Sequence, residues 1–518
     1  MLRVAFHTGR PSWLTSVRGA WVCLALWATA SFGTSGCSPR PSPVEERAIL
    51  QIGARSKGEA PSVIAESLFA EPLIAIDSQG RPAPRLATFW SWEDEGRTLR
   101  LQVRPAVRFH DGSVVTAQAV ATILEQEMTK ANALGFEAVE KLETPDDLTV
   151  LIRLKQADAF LIEALGGILI VDDQKPDVGT GPFRIVARSP MTEAVSNDTY
   201  YRGRPGIARV KIVPYDTPRA AWAALMRGHV NMAHEVNREA LEFTEGASRV
   251  TLYSSIKPFY IPLVFNLDHP ILKRVEVRRA IAEAINRDEI VSRAMHGHGQ
   301  VADDPVWPSH WAYNSAARHH TFNPGSARVR LDAAGLPVRA APPGSGRMAS
   351  RFRIACLFWA EDSQFEPIAL LLQRQLADVG VDLVLERAVG RDLAGRAASG
   401  RFDTYLYQMT SGRSFEWIYR FWHSPAPGAQ AQFQDSGYTG VDAVLDRLRQ
   451  ARSDSDIRSA VGDLRQRFYE DAPAAFLAWT QVTRAVDARF DVGERATPEI
   501  FSNLWQWQRA TTEGRAER

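Results

Sequence analysis

Between residues 352 and 385 the chain reads strand, helix, strand, and this pattern limits the fold more than any other stretch. Residues 352–358 form an apolar strand; Ile368, Leu371, Leu372, Leu376 and Val379 then trace one helix face, Gly380 stops it, and residues 381–385 are apolar again. Two strands joined through a helix pair in parallel by a right-handed crossover, which needs a sheet covered on its faces. The class is therefore α/β. A chain of 518 residues is also too long for one core, since single cores stop growing at roughly 250–300 residues.

The remaining elements are read the same way. Strands are expected at 49–52, 148–154, 230–232, 404–408 and 476–480, with strand-like sequence again from 485. Helices are expected at 60–68, 160–168, 220–226, 441–452 and 457–469. Residues 260–266 are a continuous apolar strand. Val277, Ile281, Ala284 and Ile285 share a helix face, and Asn286 caps a second helix with Glu289 as its capping-box partner. Proline and glycine mark 337–346 as an exposed loop. Gly179-Thr180-Gly181 invites comparison with a phosphate loop, but no Lys follows and Pro182 blocks a helix, so it reads as a turn into a strand.

The stretch 84–120 carries the most specific pattern. Leu99, Leu101 and Val103 alternate with Arg100, Gln102 and Arg104, so residues 89–93 and 98–104 form a hairpin around Glu95-Gly96-Arg97. His110-Asp111-Gly112 is a second turn, and Thr116 caps a helix whose inner face holds Val120, Ile123 and Leu124. The order Pro84, Leu86, Ala87, Trp90, Arg104, Pro105, Val107, Phe109, His110, Asp111, Gly112, Thr116, Ala117 resembles the signature of the family 5 solute-binding proteins, the extracytoplasmic receptors of peptide and nickel ABC importers. The run 277–290, VRRAIAEAINRDEI, is a second match; Gln118 and Ala119 depart from the acidic pair usual after Ala117.

That resemblance implies a two-lobe, type II periplasmic-binding-protein-like fold, with mixed sheets flanked by helices, a hinged cleft and an extra subdomain in lobe I. It implies lobe I at 49–262, lobe II at 263–479, and a return segment at 480–510 completing lobe I. The implied function is the substrate-binding component of an ABC transporter, capturing a peptide or peptide-like solute and delivering it to a permease and ATPase complex in the inner membrane. Non-peptide cargo (an oligosaccharide, a nickel chelate, another anion) and a sensor or chaperone-like receptor are the alternatives, and an extracytoplasmic enzyme on the same scaffold is a further class. A monomer without a cofactor is expected.

The N-terminus reads as a targeting segment. Arg3, Arg10 and Arg18 precede an uncharged run, 19–36, short for a membrane span of about 20 apolar residues. Thr34-Ser35-Gly36-Cys37 followed by a Pro-rich stretch resembles a lipoprotein cleavage site. Residues 1–36 are thus a signal peptide, Cys37 the lipidated residue, 37–48 a flexible tether and 511–518 a disordered tail; an ordinary signal peptide or a single anchoring helix is the alternative. The location is the periplasm or cell envelope. Once Cys23 and Cys37 are set aside, Cys356 remains alone and reads as a small buried hydrophobe.

Chemistry-bearing motifs are sparse. A net charge of +1 gives no reason to expect nucleic acid. His296, His298, His319 and His320 lack the helical spacing and acidic company of a metal site, so no metal is assigned. Nor does a nucleophile stand beside a base, so no catalytic residue is assigned. In residues 407–417, YQMTSGRSFEW, peptide receptors generally carry an aspartate for the peptide's α-ammonium. This chain has none, and Arg413 there offers a fork to a carboxylate. The expected ligand-binding residues are Trp307, Tyr407, Arg413, Phe415, Trp417 and Trp479.

Overall fold

The computed structural model describes residues 47–56, 60–130, 135–236, 238–241, 249–316, 318–341, 344, 349–425, 433–493 and 500–510. The expected signal peptide, Cys37, nearly all of the tether and the tail lie outside the described residues. No described helix is long and apolar enough to cross a membrane.

One large mixed sheet runs through the protein. Its strand order is Val381–Ala388, Phe352–Trp359, Thr404–Leu406, Val250–Phe265, Ala474–Asp487, Met232–Ala233, Ala48–Arg55, Ile207–Tyr215, Thr192–Ser196, Phe183–Ala187. The pair Phe352–Trp359 and Val381–Ala388 is parallel, as its strand–helix–strand pattern requires, and Phe365–Ala377 is the joining helix. Ile354, Cys356, Leu357 and Phe358 are buried because helices cover both faces. Burial also pushes the Cys356 thiol up to about 12.

Two long antiparallel strands, Val250–Phe265 and Ala474–Asp487, join the halves of this sheet. Val250–Ile256 pairs with Gln481–Asp487 beside Met232–Ala233, and Tyr260–Val264 pairs with Ala474–Trp479 beside Thr404–Leu406. Between the two blocks the register skips, so that Lys257, Pro258 and Phe259 stand opposite Thr480 alone. Such a bulge bends and twists a ribbon, and Pro258 has no N–H to give the ladder. The crossing is where the regular pairing of these two strands is broken.

A separate four-stranded antiparallel sheet, ordered Ala87–Glu93, Thr98–Val103, Thr149–Leu154, Val139–Asp146, packs on the helix Ala117–Met128. Leu99, Leu101 and Val103 point to the same core as Val120, Ile123 and Leu124. The Thr116 hydroxyl caps that helix, accepting from the Ala119 amide at 3.2 Å. Removing one such leucine to alanine is expected to cost about 2–5 kcal/mol.

The two sequence turns prove to be scaffold. The His110 ring meets the Gly181 carbonyl at 2.9 Å, and Asp111 pairs with Lys175 at 2.6 Å. Gly179 and Gly181 lie against the backbone of Leu68 and Phe69: a Cβ on Gly179 would sit 2.0 Å from the Phe69 carbonyl oxygen, and one on Gly181 2.6 Å from that of Leu68. The glycines serve a close backbone contact rather than a phosphate.

Some local expectations change. The capping box at Asn286 is half formed: its side chain accepts from Glu289 N at 3.0 Å, but the Asn286 amide is taken by Gln375 and the Glu289 carboxylate by Arg374 and Arg293. Three competing partners outbid the reciprocal bond. The strand expected at 404–408 divides into Thr404–Leu406 and Met409–Thr410, and Val139–Asp146 is a strand that polar sequence concealed.

Candidate functional site

Residues before the first crossing strand meet residues after it along a seam. The helix Phe160–Gly167 supplies much of the near side. Asp158, just ahead of it and fully buried, pairs with Arg449 at 2.6 Å, and the Ala159 amide donates to the Arg449 carbonyl at 2.7 Å. Phe160 meets Tyr419 edge-on, with ring centroids 5.7 Å apart. Arg81 reaches Asp454 at 2.7 Å and lies 3.7 Å above the Trp311 ring. Arg420 binds both Glu137 and Glu416 at 3.0 Å.

One carboxyl in the seam is unusual. Glu163 accepts from the Phe415 amide at 3.0 Å and lies beside Glu416. Desolvation, reinforced by Glu416, pushes its carboxyl up to about 8, although part of the side chain still meets solvent.

Three cavities open along this seam. A cavity of about 380 Å³ between Trp92, Trp311 and Phe415 lies toward the four-stranded sheet. A second, about 560 Å³, is walled by Lys130, Gly167, Arg413 and Trp417. A third, about 400 Å³, lies between Arg413 on the far side and Arg85, His234 and Arg484 on the near side. Arg413 borders the second and the third. Its aim depends on Gly412, which has φ +63° and would place a Cβ 2.7 Å from the Trp417 ring. The Arg413 guanidinium reaches toward the Ile76 carbonyl at 3.4 Å and stands 5.9 Å from the Trp307 ring centroid.

Of the six side chains expected at the site, Arg413, Phe415 and Trp417 line these cavities. Trp307, Tyr407 and Trp479 line none of the three. Trp307 is 1% exposed beneath Arg413, its indole N–H buried and without a hydrogen-bond partner among the described residues. Trp479 is 2% exposed and packs on Tyr260 at 5.4 Å, opposite it in the crossing. Tyr407 is half-buried and stacks on Phe365 and Tyr405. The large area that suits Trp to a cleft suits it equally to a core.

Sequence reasoning missed the near wall of the third cavity. Glu71 is its one carboxylate among the described residues, held by Tyr200 and Tyr201, which donate at 2.8 and 3.2 Å, and by Arg85 at 3.7 Å. His234 lies in a half-buried position where desolvation, then Arg484 and Lys257, pull its pKa down to about 3. Trp505 and Phe501 close the far end. Arg484 was the findable signal: an arginine just ahead of the strand-like sequence expected from 485, beside apolar Val482, Ala485 and Val486. No group of three or more His, Cys, Asp or Glu side chains is placed to hold a metal among the described residues.

Residues 81–427 match the family model described as bacterial extracellular solute-binding proteins, family 5, middle. The glutathione-binding protein GsiB of Pectobacterium atrosepticum is 23% identical over 493 residues, which is 89% of this chain and 93% of that one. Among solved structures, NikA from Brucella suis in complex with Fe(III)-EDTA superposes with a TM-score of 0.77 at 20% identity, covering 89% of this chain and 100% of that one. AgaA from A. tumefaciens R10, in complex with agropinic acid, gives 0.68 at 20%, covering 89% and 99%. These likenesses establish the two-lobe α/β fold of the type II periplasmic binding proteins.

Proposed function

Because the chain belongs to the bacterial extracellular solute-binding proteins of family 5, the substrate-binding components of ABC transporters, we propose that it captures a small solute between two lobes and hands it to a membrane permease and its ATPase. The observation that carries this reading is the bulged crossing. Among the described residues two strands alone link the halves of the large sheet, their pairing is interrupted at Lys257–Phe259, and the cavities lie along the seam between those halves. A joint of that kind lets occupancy set the angle between lobes, and closure strips water from the cargo. Lobe I is residues 49–262 with 480–510, and lobe II is 263–479; the register break suggests a joint a few residues ahead of the first boundary.

The protein works outside the cytoplasm, where this family acts, as a monomer tethered by a lipid on Cys37. Its cargo is peptide-like in size but is not a peptide held by a free N-terminus. Residues 407–417 supply no aspartate, and the carboxylate of the third cavity, Glu71, is already taken up by two tyrosines and an arginine. An unpaired buried ammonium costs several kcal/mol. The relatives it matches are transport proteins, which supports a binding role without chemistry.

Small-angle scattering tests this. Adding a small-molecule extract of the host is expected to shrink the radius of gyration and raise the melting temperature together. No compaction with any extract would overturn the capture reading; micromolar binding of mixed di- to pentapeptides that vanishes on N-acetylation would overturn the exclusion of free N-termini.

A further inference from the structure

We infer that closing the lobes takes up one proton, held by Glu163 where it meets Glu416 in the seam, so that the grip on cargo tightens toward acid and loosens toward alkali. This rests on the capture reading above. The first ground is where the carboxyl stands. Glu163 lies on the helix Phe160–Gly167 of lobe I and accepts from the amide of Phe415 in lobe II at 3.0 Å. Glu416, the next residue, is 7% exposed and brings its own carboxylate beside it. The lobe I backbone shuts over this pair: a Cβ on Gly135 would sit 2.5 Å from the Ala164 methyl and 3.6 Å from both Glu416 carboxylate oxygens. Two like charges in so dry a place repel strongly, and protonating one of them removes the repulsion.

The second ground is that no cation pairs with Glu163 among the described residues. Its other bonds come from the Glu416 amide and the Ser414 hydroxyl. Arg420 bridges Glu416 and Glu137, and Arg449 bridges Asp158 and Glu137. Arg413, ahead of the helix Glu416–Trp422, reaches the Ile76 carbonyl. Across the second cavity, Lys130 is held by Glu127 and Asp173 at 2.6 and 3.1 Å. Across the first, Arg81 pairs with Asp454, Glu93 with Arg100 and Asp94 with Arg153, while Glu95 and Arg452 carry opposite charges. The strands Ile74–Ile76 and Pro82–Pro84, packed on the same helix, carry no titratable group. Desolvation, reinforced by Glu416, accordingly raises the Glu163 carboxyl to about 8.

Placement between the lobes gives the proton its consequence. Protonated, Glu163 still offers its carbonyl oxygen to the Phe415 amide, so the contact survives the change. When the lobes part, the carboxyl regains water and an ordinary value of about 4.3. Closure therefore binds a proton between about 4.3 and 8. The contribution to the closed state is full below that window and is lost as pH rises through it.

The test is small-angle scattering of the full exported chain, with a small-molecule extract of the host as the probe, from about pH 6.5 to about pH 9, above the ordinary histidine value. The reading is the amount of extract that brings the protein halfway to its compact form. Glu163→Gln keeps an acceptor for the Phe415 amide and carries no charge. The ratio of the wild-type amount to the Glu163→Gln amount is expected to rise about tenfold per pH unit up to about 8 and then level off. Titration of the cargo itself is common to both chains and cancels in the ratio. Glu416→Gln, which removes the neighbouring charge, is expected to bring the levelling point of the wild-type curve to lower pH. Circular dichroism confirms that each variant folds. A constant ratio overturns this inference and leaves capture standing, as does a levelling point that Glu416→Gln does not move. No compaction at any pH overturns both.

Discussion

Along the seam, cations meet anions: Arg449 with Asp158, Arg81 with Asp454, Arg420 with Glu137 and Glu416. In the cavity between Arg413 and Arg484, Glu71 is held by Arg85, Tyr200 and Tyr201, while Arg85 Nε, His234 Nδ1 and Trp505 Nε1 have no hydrogen-bond partner among the described residues. The difference separates two jobs. Matched charges hold the two sides of the seam together with nothing bound, whereas unmet buried donors leave the cavity wall short of a polar partner. A receptor needs both, since the first sets how shallow the open–closed balance is and the second ties that balance to cargo.

The sharpest way to break the contrast is Asp158→Ala. Removing one member of a buried pair costs about 3–5 kcal/mol. Arg449 keeps Glu137 at 3.5 Å and is one-fifth exposed, so a loss of about 2–3 kcal/mol is expected. Because both groups regain water when the lobes part, the loss belongs to closure. It should appear as a larger radius of gyration for the cargo-free protein, with little change in the chemical-denaturation midpoint. An equal fall in that midpoint would show the pair to be structural instead.

Acidity divides the two regions next. Glu163 in the seam titrates near 8 against an ordinary glutamate value of about 4.3. Its contribution is full below the lower value and is lost as pH rises through 8. His234 in the cavity is held near 3, so its contribution is full above about 6.5 and is lost as pH falls toward 3. Melting temperature should therefore peak between these limbs. Glu163→Gln flattens the alkaline limb and leaves the acid one. His234→Gln softens the acid limb only in part, because His310 and His320 are also held near 4. An alkaline limb unchanged by Glu163→Gln would place its cause elsewhere.

Smaller effects complete the series. In cargo-free protein, Arg484→Gln takes away a cation that helps hold the Lys257 ammonium below its usual range, so that pKa is expected to rise, read by NMR titration of the lysine. Glu137→Gln touches a half-exposed carboxylate and is expected to shift stability by under about 0.5 kcal/mol.

Much of the scaffold was legible in the chain because local pattern dictated it. The hairpin at Ala87–Val103 follows from alternation, and Phe352–Ala388 follows from apolar strands either side of one helix face. Val139–Asp146 was not legible: seven of its eight residues lie outside the buried core, so its sequence carries no apolar run. The first half of Val250–Phe265 was hidden by Ser254, Ser255, Lys257 and Pro258, whose polar character belongs to the crossing. The candidate site was legible at one point, Arg413, where the chain departs from its family's pattern. Arg85, His234, Arg484 and Trp505 come from four separated segments, and only folding places them around one space.

The strand Ala474–Asp487 gives the molecule an order of assembly. Among the described residues it alone connects Val250–Phe265 to Met232–Ala233, and through it the sheet passes from one half to the other. A polypeptide emerging N-terminus first has more than nine-tenths of its 518 residues out before this strand is complete. Until then the earlier strands have no bridge, and the large sheet stays in two pieces. The keystone is thus among the last strands to be made, so completion of the large sheet waits on nearly all of the strands it joins.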